Sequence, residues 1–109
     1  IMPIATANNI NWNYTIYGSG ALIGTNTGTD GNATDQGTAI AGAITIPSIL
    51  DGYSVIGIGS VAFANCQNLT SVTIPNSVNS IGANSFAYCS SLTSFPNIDF
   101  SNATNFEVT

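Results

Sequence analysis

Residues 74–94 read Ile-Pro-Asn-Ser-Val-Asn-Ser-Ile-Gly-Ala-Asn-Ser-Phe-Ala-Tyr-Cys-Ser-Ser-Leu-Thr-Ser, and this stretch decides the fold because most of it has already occurred once. Moved back by 23 positions, Ser77-Val78, Ile81-Gly82, Phe86-Ala87, Cys89 and Leu92-Thr93-Ser94 fall on Ser54-Val55, Ile58-Gly59, Phe63-Ala64, Cys66 and Leu69-Thr70-Ser71, ten identities in eighteen positions. Self-similarity at such a period marks a chain built from one supersecondary unit used repeatedly. An Ile-Pro pair leads each unit, Ile46-Pro47 and Ile74-Pro75; these pairs are 28 apart because the first unit carries a five-residue insertion around Asp51-Gly52.

One unit reads as a short strand, a turn, a short helical segment and a return. Ile58 and Ile81 alternate with small neighbours as strand residues do, whereas Phe63 to Cys66 and Phe86 to Cys89 keep the i, i+3 spacing of a helical face. Each unit has a single apolar stripe that it cannot cover alone, so the units must stack. The expected ladders are Ile58 on Ile81, Phe63 on Phe86, Cys66 on Cys89 and Leu69 on Leu92.

The pattern Ile-Pro-x-x-Val-x-x-Ile-Gly-x-x-x-Phe-x-x-Cys-x-x-Leu-Thr-Ser over 74–94 resembles the repeat of the BspA-like leucine-rich repeat family. Residues 46–73 resemble the same unit in a first-repeat form, with Asp51-Gly52-Tyr53 after the Ile-Pro pair, and the two cover about half the chain. The resemblance implies a right-handed strand-and-helix solenoid on cell surfaces or in the extracellular space. It also implies adhesion and protein binding rather than catalysis, with no family-wide catalytic residues to transfer.

Outward from the repeats the pattern changes. Ile10, Trp12, Tyr14 and Ile16 alternate with Asn11, Asn13, Thr15 and Tyr17, the period-two signature of a half-buried strand, with Trp12 and Tyr14 on its core side. Residues 21–23 and 39–46 supply further strands, separated by a Gly-, Thr-, Asn- and Asp-rich stretch in which Asp30-Gly31 fits a tight turn. The expected architecture is a repeat solenoid: a β-rich cap over 1–45, two leucine-rich-repeat-like coils of strand and short helix over 46–96, and a divergent strand or truncated repeat over 97–109.

Composition removes whole classes of function. The chain has five acids (Asp30, Asp35, Asp51, Asp99, Glu107) and no Lys, Arg or His, for a formal charge of −5. Binding to a phosphate backbone depends on cationic side chains that displace counterions, so a nucleic-acid partner is excluded, and anionic lipid surfaces with it. The longest apolar run, 39–46, falls far short of the roughly 20 residues that span a bilayer. Residues 1–5 carry neither the basic nor the long apolar region of a secretory leader.

Catalysis finds little to work with, since acid–base chemistry near neutral pH most often uses His, and neither His nor Lys is present. Cys66 and Cys89 have no cationic neighbour to make a reactive thiolate, and read as a buried ladder. A disulfide between them is the alternative, opposed by the parallel aim of equivalent ladder positions. Two thiols do not complete a zinc site. Asp30, Asn32, Thr34 and Asp35 gather oxygens as a calcium loop does but lack its glycine and terminal Glu, and read as a solvated hairpin tip. No metal or other cofactor is expected. Glycosylation sequons at Asn13, Asn32, Asn68 and Asn102 are too easily produced by this composition to carry weight. Tyr17, Tyr53 and Tyr88 are the candidate contact residues, because amphipathic rings dominate interface hot spots.

The functional expectation is a non-catalytic structural or interaction protein that associates head to tail with copies of itself into a surface filament or layer. Two recognisable repeats are few for a solenoid, and no edge Lys guards the last strand against pairing. The segments expected to assemble are Ile1, Met2, Pro3 and Ile4 at one end and Ile98, Phe100, Phe106 and Val108 at the other. The alternatives are a monomeric adhesin-type binding module, or a piece of a longer adhesin, and a virion surface component.

Overall fold

The computed structural model describes residues 3–25 and 27–93. The apolar candidates Ile1, Met2, Ile98, Phe100, Phe106 and Val108 lie outside the described residues.

Among the described residues eight strands run in chain order: β1 (Ile4–Ala7), β2 (Ile10–Tyr17), β3 (Gly20–Ile23), β4 (Ala41–Thr45), β5 (Ile49–Leu50), β6 (Tyr53–Ile58), β7 (Asn68–Thr73) and β8 (Ser80–Ile81). Antiparallel pairing joins β1 to β2 and β2 to β3. From β3 onward the ladders turn parallel: β3 lies beside β6, and β6 beside β8, with Ile58 paired to Ile81. A second parallel ladder, β4 with β7, runs separately. Parallel neighbours need a crossover rather than a hairpin. The described residues of 20–25 and 27–45 follow the same order of strand, turns and strand as the 46–73 unit, although they carry no copy of its motif.

The insertion at Asp51-Gly52 is itself a hairpin. Asp51 and Gly52 have φ of 50° and 83°, the two positive values that a type I′ turn requires. They return the chain from β5 into β6 with Leu50 opposite Tyr53.

The expected short helices at Phe63 to Cys66 and Phe86 to Cys89 are not helices, and the reason is visible in the hydrogen bonds. Alternate amides are used differently: those of Ala62, Ala64 and Cys66 close local turns onto the carbonyls of Gly59, Val61 and Phe63. Those of Val61, Phe63 and Asn65 point sideways to the carbonyls of Ala83, Ser85 and Ala87, at 3.1, 2.8 and 2.7 Å. A helix would direct every amide along its own axis. Left-handed residues at equivalent places, Val61 and Asn84, Asn65 and Tyr88, break each local turn before a second can continue it. The i, i+3 spacing in the sequence is thus a period of linked turns. The described residues contain a single 3-10 turn, Gly37–Ala39, and no α-helix.

The core lies between the two parallel ladders and the row of turns. Phe63 and Phe86 are fully buried and stack with centroids 5.1 Å apart and planes 3° from parallel. Trp12, also fully buried, meets Phe63 edge-on at 6.4 Å and donates its indole N–H to Ala7 O at 3.0 Å. The β1–β2 hairpin in this way closes the first end of the aromatic row. Leu69 is buried and Leu92 packs against the same core. The paired glycines follow from close approach: a Cβ on Gly82 would lie 2.6 Å from Ser60 N, and one on Gly59 would lie 2.9 Å from Ile23 O.

Candidate functional site

The row of turns brings side chains from successive passes of the chain together at the surface. Its backbone is fixed on both sides: Gly31 and Ala33 donate to Val61 O and Ala62 O, and the amides of Val61, Phe63 and Asn65 bond onward to the following pass as described. A groove of about 350 Å³ runs across it, lined by Asp30, Val61, Ala64, Asn84, Ala87 and Tyr88. Asp30 is the only charged residue of that lining. Its carboxylate accepts from Asn65 Nδ2 at 2.6 Å, and Asn65, at φ 60°, takes the left-handed conformation that Asn tolerates best.

Asn32 holds the start of the row in place. Only 6% exposed, it accepts from the Thr25 amide at 3.0 Å and donates to Thr29 O and Ser60 O. Buried polar groups stay where their hydrogen bonds are complete, so this carboxamide fixes the loop that carries Asp30. The oxygens considered for calcium are engaged within the protein: Asn32 in this way, Asp35 by Asn11 Nδ2, Asp30 by Asn65 and Thr34 Oγ1 by the Gln36 amide. Among the described residues no three His, Cys, Asp or Glu side chains gather into a metal-binding group.

The two thiols lie beneath the row, both buried and unbridged. Cys89 Sγ donates to Phe63 O at 3.0 Å, reaching across to the preceding pass. Cys66 Sγ lies 3.9 Å from the carbonyl oxygens of Gly37 and Ala64. Burial first, then the nearness of Cys89 and Asp30, pushes the Cys66 thiol up to about 12. Burial raises Cys89 as well, against a lowering contribution from the backbone N–H of Cys66. A nucleophile needs its thiolate, so this setting keeps both sulfurs protonated and quiet.

The three candidate contact tyrosines are not brought together. Tyr88 is 65% exposed and lines the groove, and Tyr17 is 67% exposed at the end of β2. Tyr53 differs from expectation: it is half-buried, its ring 6.3 Å from that of Tyr14, because the β5–β6 hairpin folds it onto β2. Pro3 is half-buried, its carbonyl accepting from the Tyr14 amide, while Ile4 is 55% exposed.

Sequence reasoning missed Asp30, Val61 and Asn84 as surface partners. A signal was present, since the groove takes in positions where the two units disagree, Val61 against Asn84 and Tyr88 against Asn65, over the shared Ala64 and Ala87. The framework of the repeat is where they agree.

The family model described as BspA type leucine rich repeat region (6 copies) matches residues 39–107. No curated protein and no solved structure matches the chain. No helix among the described residues is long and apolar enough to cross a membrane.

Proposed function

Because this chain belongs to the BspA-type leucine-rich repeat family, we propose that it is a non-catalytic, surface-associated module that binds another protein through its row of turns. The observation that carries the reading is the construction of that row. Its backbone amides are spent alternately on local turns and on the neighbouring pass, so the outward side chains sit on a rigid support. Preorganised surfaces lose less entropy on binding than loops that must first be ordered. The parallel ladders β3–β6–β8 and β4–β7 support reading the successive passes as coils of a solenoid. The β1–β2 hairpin is its cap, and an extracellular or cell-surface setting suits such a module.

Association with copies of itself is the second reading, favoured by Ile4, Ile16 and Tyr17, which leave apolar surface exposed on the β1–β2 hairpin. Light scattering across a concentration series separates the two, together with capture of proteins from extracellular fluid on the immobilised chain. The binding reading expects a monomer that retains a distinct protein, saturably, when that protein is purified and returned. A concentration-dependent polymer supports self-association, and a monomer that retains nothing overturns both.

A further inference from the structure

Three features meet at the groove. Tyr88 occupies a left-handed position, φ 59°, where a bulky ring is strained, and it buries little of that ring in return. Asp30 is held there by the Asn65 amide. Beneath them Val61, Ala64 and Ala87 make an apolar floor. Backbone strain at an exposed residue is a reason to ask what the residue does.

We propose that this groove receives one Lys or Arg side chain from an extended segment of another protein. The inference rests on the protein-binding reading above and names the chemistry of the partner. A cation on a four-carbon or three-carbon stem needs an apolar bed for the stem, a carboxylate for the head and, where available, an aromatic face. Val61, Ala64 and Ala87 supply the first, Asp30 the second and Tyr88 the third, while the Asn84 carboxamide is an acceptor for remaining N–H donors. At about 350 Å³ the space is near the small end of ligand pockets and suits a single side chain.

Charge complementarity sets the partner apart from a copy of this chain. The net charge is −5 and no Lys, Arg or His exists anywhere in the sequence. A second copy of these 109 residues therefore has no cationic side chain to insert, and the occupant comes from outside them. A field of one sign also speeds encounter with a basic segment at low ionic strength.

The test follows amide resonances of the whole isotope-labelled chain during titration with hexalysine and with its fully Nε-acetylated counterpart. Hexalysine is expected to move the signals of Val61, Ala64, Asn84, Ala87 and Tyr88, with an affinity that falls as salt rises. Asp30→Asn keeps an acceptor for Asn65 but removes the charge, and Tyr88→Asn removes the ring. Each should weaken binding by about fivefold, as expected for one ion pair or one cation–π contact. Asp51→Asn, an equal loss of charge elsewhere, should change affinity by less than about twofold. Tyr88→Asn should also raise the melting temperature, because Asn accepts the left-handed conformation; a Tyr88 kept for folding would lower it. Equal binding of the acetylated peptide, undiminished binding to Asp30→Asn and Tyr88→Asn, shifts confined elsewhere, or no binding overturns the proposal. A captured protein whose binding ignores both variants overturns the groove alone, whereas capture of no protein removes the wider reading.

Discussion

The phenol of Tyr14 donates across 2.6 Å to the carboxylate of Asp51, two residues 37 apart in sequence. This bond ties the β5–β6 hairpin to the long strand of the cap. Together with the tilted packing of Tyr14 on Tyr53, it explains why the insertion in the first unit lies against β2.

An alkaline limb in stability follows from that bond. The Tyr14 phenol is raised from 10.0 to about 12, first by its hydrogen bond to Asp51, then by burial and by the negative charge beside it. The folded state therefore holds this proton more tightly than the unfolded chain. Stability from this source is complete below pH 10 and drains as pH rises toward and through about 12. Melting curves taken from pH 8 to 12 should show the decline. In Tyr14→Phe the tyrosinate absorbance step near 12 should vanish and the decline should flatten.

Truncating the aromatic row tests the stack itself. Phe86→Ala should cost about 3–5 kcal/mol, the range for removing a buried ring and leaving its cavity, because Phe86 is fully buried against Phe63. Phe86→Leu should cost less than half of that, since most of the volume returns. Chemical denaturation measures both, and equal losses would mean that the ring's shape, rather than buried volume, sets the stability.

What could be read from the residues depended on whether side chains or backbone carried the contact. The alternation of Trp12 and Tyr14 with polar neighbours located β2 to the residue, and the 23-residue offset aligned Phe63 with Phe86. Those are side-chain patterns. The parallel ladders of β3 and β4 were not legible as a further pass of the repeat, because Gly20, Ala21, Ala41, Gly42 and Ala43 pair through backbone atoms and need no motif. Spacing alone also could not separate linked turns from a helix, since both repeat near three residues. The difference lies in left-handed Val61, Asn65, Asn84 and Tyr88, two of which are residue types that sequence rules do not assign to φ above zero. Asn32 looked like one more loop asparagine, and only its burial and its three hydrogen bonds identify it as a support of the groove.

Thiol chemistry should report opening of the fold rather than surface reactivity. With Cys66 raised from 9.0 to about 12, its thiolate fraction near pH 8 falls by roughly three orders of magnitude relative to the unfolded chain. Alkylation at pH 8 should leave both cysteines unlabelled in native protein and label both in denaturant. The sign for stability is the same as for Tyr14: the neutral thiol favours the fold fully below pH 9, and this contribution is lost at higher pH. Rapid labelling of the native chain would contradict the buried placement of both sulfurs.

The repeated glycine offers the sharpest test of how closely the passes approach, because two causes of glycine preference can be separated. A methyl on Gly82 would lie 2.6 Å from Ser60 N, 2.9 Å from Gly59 C and 3.0 Å from Ser60 Cα, all backbone atoms that cannot swing aside. Gly82→Ala must push β8 away from the preceding pass, lengthening the bond from Gly82 N to Ile58 O, now 2.8 Å. Overpacking of this kind costs about 1–3 kcal/mol. Gly18 is the control: its φ is 62°, with nothing within 4 Å of an added Cβ. Gly18→Ala pays only for the left-handed backbone, about 1–2 kcal/mol, without moving any neighbour. The energies overlap, so the deciding measurement is hydrogen exchange. Gly82→Ala should speed exchange at the amides of Val61, Phe63 and Asn65, which bond the adjoining turns together, by more than its global destabilisation accounts for. Gly18→Ala should leave those amides in step with global stability. If both variants changed exchange uniformly, contact between successive passes would not be what the repeated Ile-Gly pair provides.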